Sequence, residues 1–152
     1  MNRSLDINRA APAIASGEAL IEADPETVFA VISAIEGWPA WNPDVRSAEL
    51  DGPVQPGTVF RWKAGPSSLT STLQVVDPPD AIVWTGRTMG IRAIHVFRFE
   101  AREGGTLARS EESWEGPIAS LLKGWSRRTL KKGIDDVLSH LKAESERRAA
   151  PA

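Results

Sequence analysis

Apolar positions along this chain change period several times, and each change marks an element. Residues 14–21 mix Ile14, Ser16, Glu18 and Leu20 with Ala15, Ala19 and Ile21, a pattern compatible with an edge strand. Asp24-Pro25-Glu26-Thr27 then reads as a helix start. Asp24 can cap, Pro25 suits the first helical position, and Glu26 favours the positive end of the helix dipole. Val28, Phe29, Val31, Ile32 and Ile35 give this helix, over 25–35, a wide apolar face. Gly37 ends it at Trp38-Pro39-Ala40-Trp41-Asn42-Pro43. Proline fixes φ and stops helices, so this segment predicts a stiff, non-helical corner that carries two tryptophans. Residues 1–11 are polar and mixed, and are expected to be loose.

Strand-like runs follow, each closed by turn residues. They cover 45–50, 58–64, 69–76, 81–87, 91–102 and 106–115. Asp51-Gly52-Pro53, Gly65-Pro66, Asp77-Pro78-Pro79-Asp80, Met89-Gly90, Glu103-Gly104-Gly105 and Gly116-Pro117 separate them. Short turns between regular strands predict an antiparallel meander. From 118 to 143, Ile118, Leu121, Leu122, Trp125, Leu130, Ile134, Val137, Leu138 and Leu141 recur at helical spacing. Lys123, Arg127, Arg128, Lys131 and Lys132 occupy the other side, which could touch an anionic headgroup but reads as a solvated face. Gly124 and Gly133 lower helix propensity, and on an inner face would leave room against the backbone. The tail from Glu144 is expected to fray. Neither a long helix nor a seven-stranded sheet can bury its apolar face alone. A curved antiparallel sheet wrapped around the C-terminal helix solves both problems. The expected class is therefore α+β, one domain over 1–152 with an ordered core at about 13–145. Such a grip leaves a cavity wherever helix and sheet do not meet.

Composition narrows what that cavity can do. The chain has 152 residues, enough for one sizeable core, and a net charge of -2. No strong field exists to gather nucleic acid or anionic lipid, so neither is an expected partner. Without cysteine there is no disulfide, thiolate nucleophile or Cys-based metal site. With two histidines, His95 and His140, carboxylates would have to do nearly all metal ligation, so no metal and no cofactor is expected. His140 lies late in the terminal helix and reads as a surface residue. No apolar run approaches a membrane span, and residues 10–15 are too short for a signal sequence, so the expected location is cytoplasmic. Integral membrane association is not expected, and homodimerisation stays open. Six tryptophans and no tyrosine make the aromatic inventory strongly apolar.

The order of these segments resembles the START-like (SRPBCC) superfamily with its helix-grip fold, most closely the polyketide cyclase/dehydrase-like branch. Four segments carry the resemblance: Ala23-Asp24-Pro25-Glu26-Thr27-Val28-Phe29; Trp38 to Pro43; Val83-Trp84-Thr85-Gly86-Arg87; and His95-Val96-Phe97-Arg98-Phe99 through Gly104-Gly105-Thr106 to Glu112-Ser113-Trp114-Glu115-Gly116. Together they span nearly all of 13–145. The resemblance implies a cavity for a hydrophobic or aromatic small molecule, with or without chemistry. Fold does not choose among carriers, receptors and cyclases.

Strand parity sorts the candidate residues. His95, Phe97 and Phe99 share one face, with Ile94 and Val96 opposite. Thr106, Ala108, Ser110, Glu112 and Trp114 share another, as do Thr58, Phe60 and Trp62, and Ile82, Trp84 and Gly86. The expected ligand-binding residues are Trp38, Trp41, Phe60, Trp62, Trp84, Phe97, Trp114 and Trp125. Glu112 on an apolar face would have a raised pKa, and beside an imidazole would make an acid/base pair with His95. The alternative is structural: Glu112 holds the tryptophan corner by hydrogen bonds, and His95 is a neutral core imidazole. Three functions stay open: a binder of small hydrophobic ligands, a cyclase/dehydratase using Glu112 and His95, and an interaction module with a vestigial pocket.

Overall fold

The computed structural model describes residues 5–150. Seven strands, β1 (Ala13–Ile21), β2 (Val45–Leu50), β3 (Val59–Ala64), β4 (Ser67–Asp77), β5 (Ala81–Thr88), β6 (Ile91–Arg102) and β7 (Gly105–Glu115), form one antiparallel sheet. Its order is β1-β7-β6-β5-β4-β3-β2, so the first two strands are its two edges. Helix α1 (Pro25–Ser33), a 3-10 turn (Ile35–Gly37) and α2 (Trp38–Trp41) bridge those edges. Asp24 caps α1 by accepting from the Thr27 amide at 2.8 Å. The α+β helix-grip architecture read from the sequence is the one observed.

Several local expectations are corrected. The tryptophan–proline corner is helical: Pro39 sits in the first turn of α2, where its missing N–H removes no intrahelical bond. The C-terminal helix is two pieces, α3 (Pro117–Leu121) and α4 (Lys123–Ala149), broken at Leu122 (φ -116°, ψ 53°). Gly124, two residues on, weakens helical continuity there. Gly133 and Gly124 lie on the exposed side of α4 and leave no room against the sheet. The close approach comes instead from Gly17 on β1. A Cβ there would stand 3.1 Å from Ile134 and 3.2 Å from Leu138, so this glycine lets α4 lie on the edge strand. The tail stays helical to Ala149, because Glu144 pairs with Arg147 and Arg148, and Glu146 accepts from the Glu22 amide at 2.9 Å.

The core lies in the concavity, where Val28, Val31, Ile32, Phe60, Leu73, Ile82, Phe97, Leu130, Ile134 and Leu141 are buried. The apolar residues on the convex side of β6 find cover too. Leu5 and Ile7 pack over Val75, Val83, Ile94 and Val96, so the expected loose arm is docked from residue 5 onward. The Asn8 amide donates to Ser113 Oγ at 3.0 Å, and Arg9 pairs with Glu111 at 2.9 Å. Residues 1–4 lie outside the described residues.

Candidate functional site

Three strands build the polar centre. β6 and β7 place His95 directly opposite Glu112, and both side chains face the concavity as their parity requires. His95 Nδ1 lies 3.4 Å from Glu112 Oε1. His95 Nε2 is 2.8 Å from Ser110 Oγ. The Trp114 indole N–H donates to Glu112 Oε2 at 3.0 Å. Glu112 is thus held by side chains rather than by the main chain. On the neighbouring β5, Trp84 lies against the imidazole at 5.0 Å between ring centroids, and Phe97 stacks on it at 4.5 Å.

These aromatic walls set the protonation states. Burial pushes the Glu112 carboxyl up to about 7, and the Trp114 N–H pulls it part of the way back. Burial pushes His95 down to about 3. At neutral pH the imidazole is therefore neutral and the carboxyl is poised between its forms. When protonated, Glu112 can donate to Nδ1 while Nε2–H donates to Ser110. When ionised, it accepts from Nδ1–H while Ser110 donates to Nε2. The site is close to dry but not sealed: 11% of the His95 side chain and 17% of Glu112 remain accessible.

The two shifts oppose each other in stability. Glu112 binds its proton more tightly when folded, so its contribution is full below its ordinary 4.5 and is lost as pH rises through about 7. His95 resists protonation when folded, so its contribution is full above its ordinary 6.5 and is lost as pH falls through about 3. Between 4.5 and 6.5 each state holds one proton on the pair, and the slopes cancel. Glu112→Gln leaves the His95 contribution alone. Its stability is expected to rise with pH across that window by about 1.4 kcal/mol per unit, while the stability of the parent protein stays flat. Urea titrations at both ends of the window check this, and equal slopes in parent and variant would refute the assignment.

The eight aromatic residues divide into two groups. Trp38, Phe60, Trp84 and Phe97 are buried and pack edge-on or tilted against one another, with Trp38–Phe60, Trp38–Trp84 and Trp84–Phe97 centroids 5.6, 5.3 and 5.5 Å apart. They fill the deep half of the grip. Trp41, Trp62 and Trp114 are half-buried, and Trp125 is exposed. Trp125 lies 6.3 Å from Trp114, whose indole N–H binds Glu112, and Trp62 packs on Trp38 at 5.3 Å. Gly86 leaves room for Ser71: a Cβ there would stand 2.9 Å from Ser71 Oγ, which accepts from the Trp62 indole at 3.0 Å. Two depressions of about 400 and 450 Å³ lie elsewhere, lined in part by Val83, Arg98, Arg109 and Glu111, and neither includes any of the eight.

Two participants, Ser110 and Ser126, were not among the expected site residues. Ser110 shares the inner row with Glu112, so parity held the signal. Trp41 Nε1 and Ser126 Oγ are buried with no hydrogen-bond partner among the described residues. Ser126 stands four residues before Leu130 on the inner stripe of α4, a position where a hydroxyl is out of keeping with its neighbours. His140 is half-buried on the same helix, away from this row. Among the described residues, no cluster of His, Asp or Glu could hold a metal ion.

Residues 12–146 match the family model described as polyketide cyclase / dehydrase and lipid transport. The chain belongs to this family. Among solved structures, it is similar to the Zhui aromatase/cyclase of Streptomyces sp. R1128, with TM-score 0.75 and 15% identity over 90% of this chain and 95% of that one. It is similar to a START superfamily protein of Mycobacterium smegmatis, with TM-score 0.70 and 15% identity over 88% and 97%. It also matches the di-domain ARO/CYC BexL of the BE-7585A biosynthetic pathway, with TM-score 0.75 and 24% identity over 91% of this chain and 50% of that one. No curated protein sequence matches. At these identities the structural neighbours show the fold, and the family match supports a ligand-binding or cyclase role.

Proposed function

We propose that this family member binds a small hydrophobic or aromatic molecule within the grip, against Trp41, Trp62, Trp114 and Trp125. The observation that carries the reading is the pair of unpartnered buried groups, the Trp41 N–H on α2 and the Ser126 hydroxyl on α4, on two helices that touch. Buried polar groups are nearly always satisfied. A carbonyl or hydroxyl on an otherwise apolar ligand would satisfy these. Ser145 is also unpartnered, at the far end of α4.

Titration with anilinonaphthalene sulfonate tests it. Saturable quenching of tryptophan emission is expected. Trp41→Phe keeps the ring and removes the donor, and should weaken binding of a carbonyl-bearing aromatic ligand by about tenfold. A non-saturating response, or a variant that binds as the parent does, would count against the site.

The Glu112–His95 contact favours a second reading, a cyclase or dehydratase. Such a reaction needs one group to take a proton from carbon and one to give a proton to a departing or developing oxygen. A carboxyl poised near 7 beside a neutral imidazole supplies both roles without any prior charge separation. The apolar walls would fold the substrate and exclude water.

A further inference from the structure

Five large hydrophobic side chains are well exposed among the described residues, and four of them gather at one end of the molecule: Met89 at 90%, Leu121 at 80%, Leu122 at 50% and Trp125 at 46%. The fifth, Leu20, lies at the opposite end of β1, where Lys142 binds its carbonyl. The four share one surface because the β5–β6 turn is fastened to α3. The Ile118 amide donates to the Gly90 carbonyl at 3.1 Å, and a Cβ on Gly90 (φ +74°) would collide with Ile118. The break at Leu122 then turns Leu121 and Leu122 outward at the start of α4.

The charge around this patch is predominantly positive. Residues 116–134 contain Lys123, Arg127, Arg128, Lys131 and Lys132 and no Asp or Glu, in a chain whose net charge is -2. Lys131 and Lys132 pair with Asp135 and Asp136, one helical turn further from the patch. Lys123, Arg127 and Arg128 have no carboxylate within ion-pair distance among the described residues. Arg87 and Arg92 face each other across the β5–β6 hairpin beside Met89. The nearby Glu115 is already taken by Arg92 at 3.2 Å and by Asn8.

We propose that this end of the molecule docks on an anionic phospholipid surface. Leu121, Leu122, Met89 and the indole of Trp125 would enter the headgroup–acyl boundary, while Lys123, Arg127 and Arg128 bind the phosphates around them. A protruding set of large apolar side chains within a cationic collar matches a negatively charged, apolar-cored surface in both respects. A neutral protein partner would use the apolar part alone. The surface works whatever occupies the interior of the grip. It also places Trp125, the most exposed of the eight rings, at the membrane.

Flotation of the full chain with phosphatidylcholine vesicles, with and without an equal share of phosphatidylglycerol, tests the proposal. The protein is expected to float with the anionic vesicles alone and to be released by salt. A shift of tryptophan emission to shorter wavelength should disappear in Trp125→Phe. Leu121→Ser combined with Leu122→Ser alters exposed positions only, so circular dichroism should be unchanged. The bound fraction should nevertheless drop by about tenfold. Lys123→Glu with Arg128→Glu should act similarly. Failure to bind either vesicle, equal binding to neutral vesicles, or variants that float like the parent would overturn it. So would a parent dimer that the double serine variant converts to monomer, which would give the patch to a second copy of the chain.

Discussion

Trp84→Ala is expected to lower the stability of the fold by about 3–5 kcal/mol. Trp84 is on the inner row of β5, and only 4% of it is exposed. Its ring lies 5.3 Å from Trp38, 5.8 Å from Phe60, 5.5 Å from Phe97 and 5.0 Å from His95. Removing it takes the shared wall from four rings at once. Those rings belong to α2, β3 and β6, so the cavity cannot be closed by moving one element. A well-packed site that cannot collapse pays both the lost transfer energy and the void. Trp125→Ala is the internal comparison, since its half-exposed ring should cost well under half as much. Urea denaturation of both variants decides the matter. A loss below about 1 kcal/mol at Trp84 would mean that the deep half of the grip is loosely filled and already spacious enough for a guest.

Glu112→Gln should lower turnover by about 10²–10⁴-fold if the domain catalyses cyclisation or dehydration, with ligand affinity nearly unchanged. The amide keeps the shape, and its oxygen still accepts from Trp114. What disappears is the group that titrates near 7. The pH profile assigns its role. Activity that falls as pH rises through about 7 makes Glu112 the acid, and activity that falls as pH drops through the same value makes it the base. Ser110→Ala offers a milder contrast, because it frees His95 Nε2 without touching the carboxyl. If no turnover exists, the same Gln variant should shift affinity or stability only. Unchanged turnover in Glu112→Gln would remove the carboxyl from the chemistry.

Strand parity and turn residues made most of the fold legible. His95, Phe97 and Phe99 alternate with Arg98 and Glu100, and Glu112 with Arg109 and Glu111, so faces followed directly from the period of two. Parity could not say that Ile94 and Val96 would be covered by Leu5 and Ile7. That contact joins segments some ninety residues apart and leaves no local trace. The Trp-Pro-Ala-Trp segment is helical although it reads as a breaker, because proline stops helices from within but starts them well. The break at Leu122 was hidden because Leu121, Leu122 and Trp125 keep helical spacing while facing water. Spacing reports which residues share a face, not whether another element lies against it. The aromatic set showed the same limit. Eight rings were expected to line a space, yet whether rings line a space or fill it depends on distances between strands that sequence does not encode.

The sheet order has a consequence for how the chain is made. The strand at the N-terminal edge, β1, pairs only with β7, with Ile21 opposite Thr106 and Ala13 opposite Trp114. Its inner face is then covered by α4, the last element of the domain. On the ribosome β1 therefore waits without a neighbour until nearly the whole domain has emerged. The meander from β2 to β6 can assemble first, but the edge that closes the grip is among the last contacts made. High sequence separation at the closing seam places this domain among the slower folders of its size.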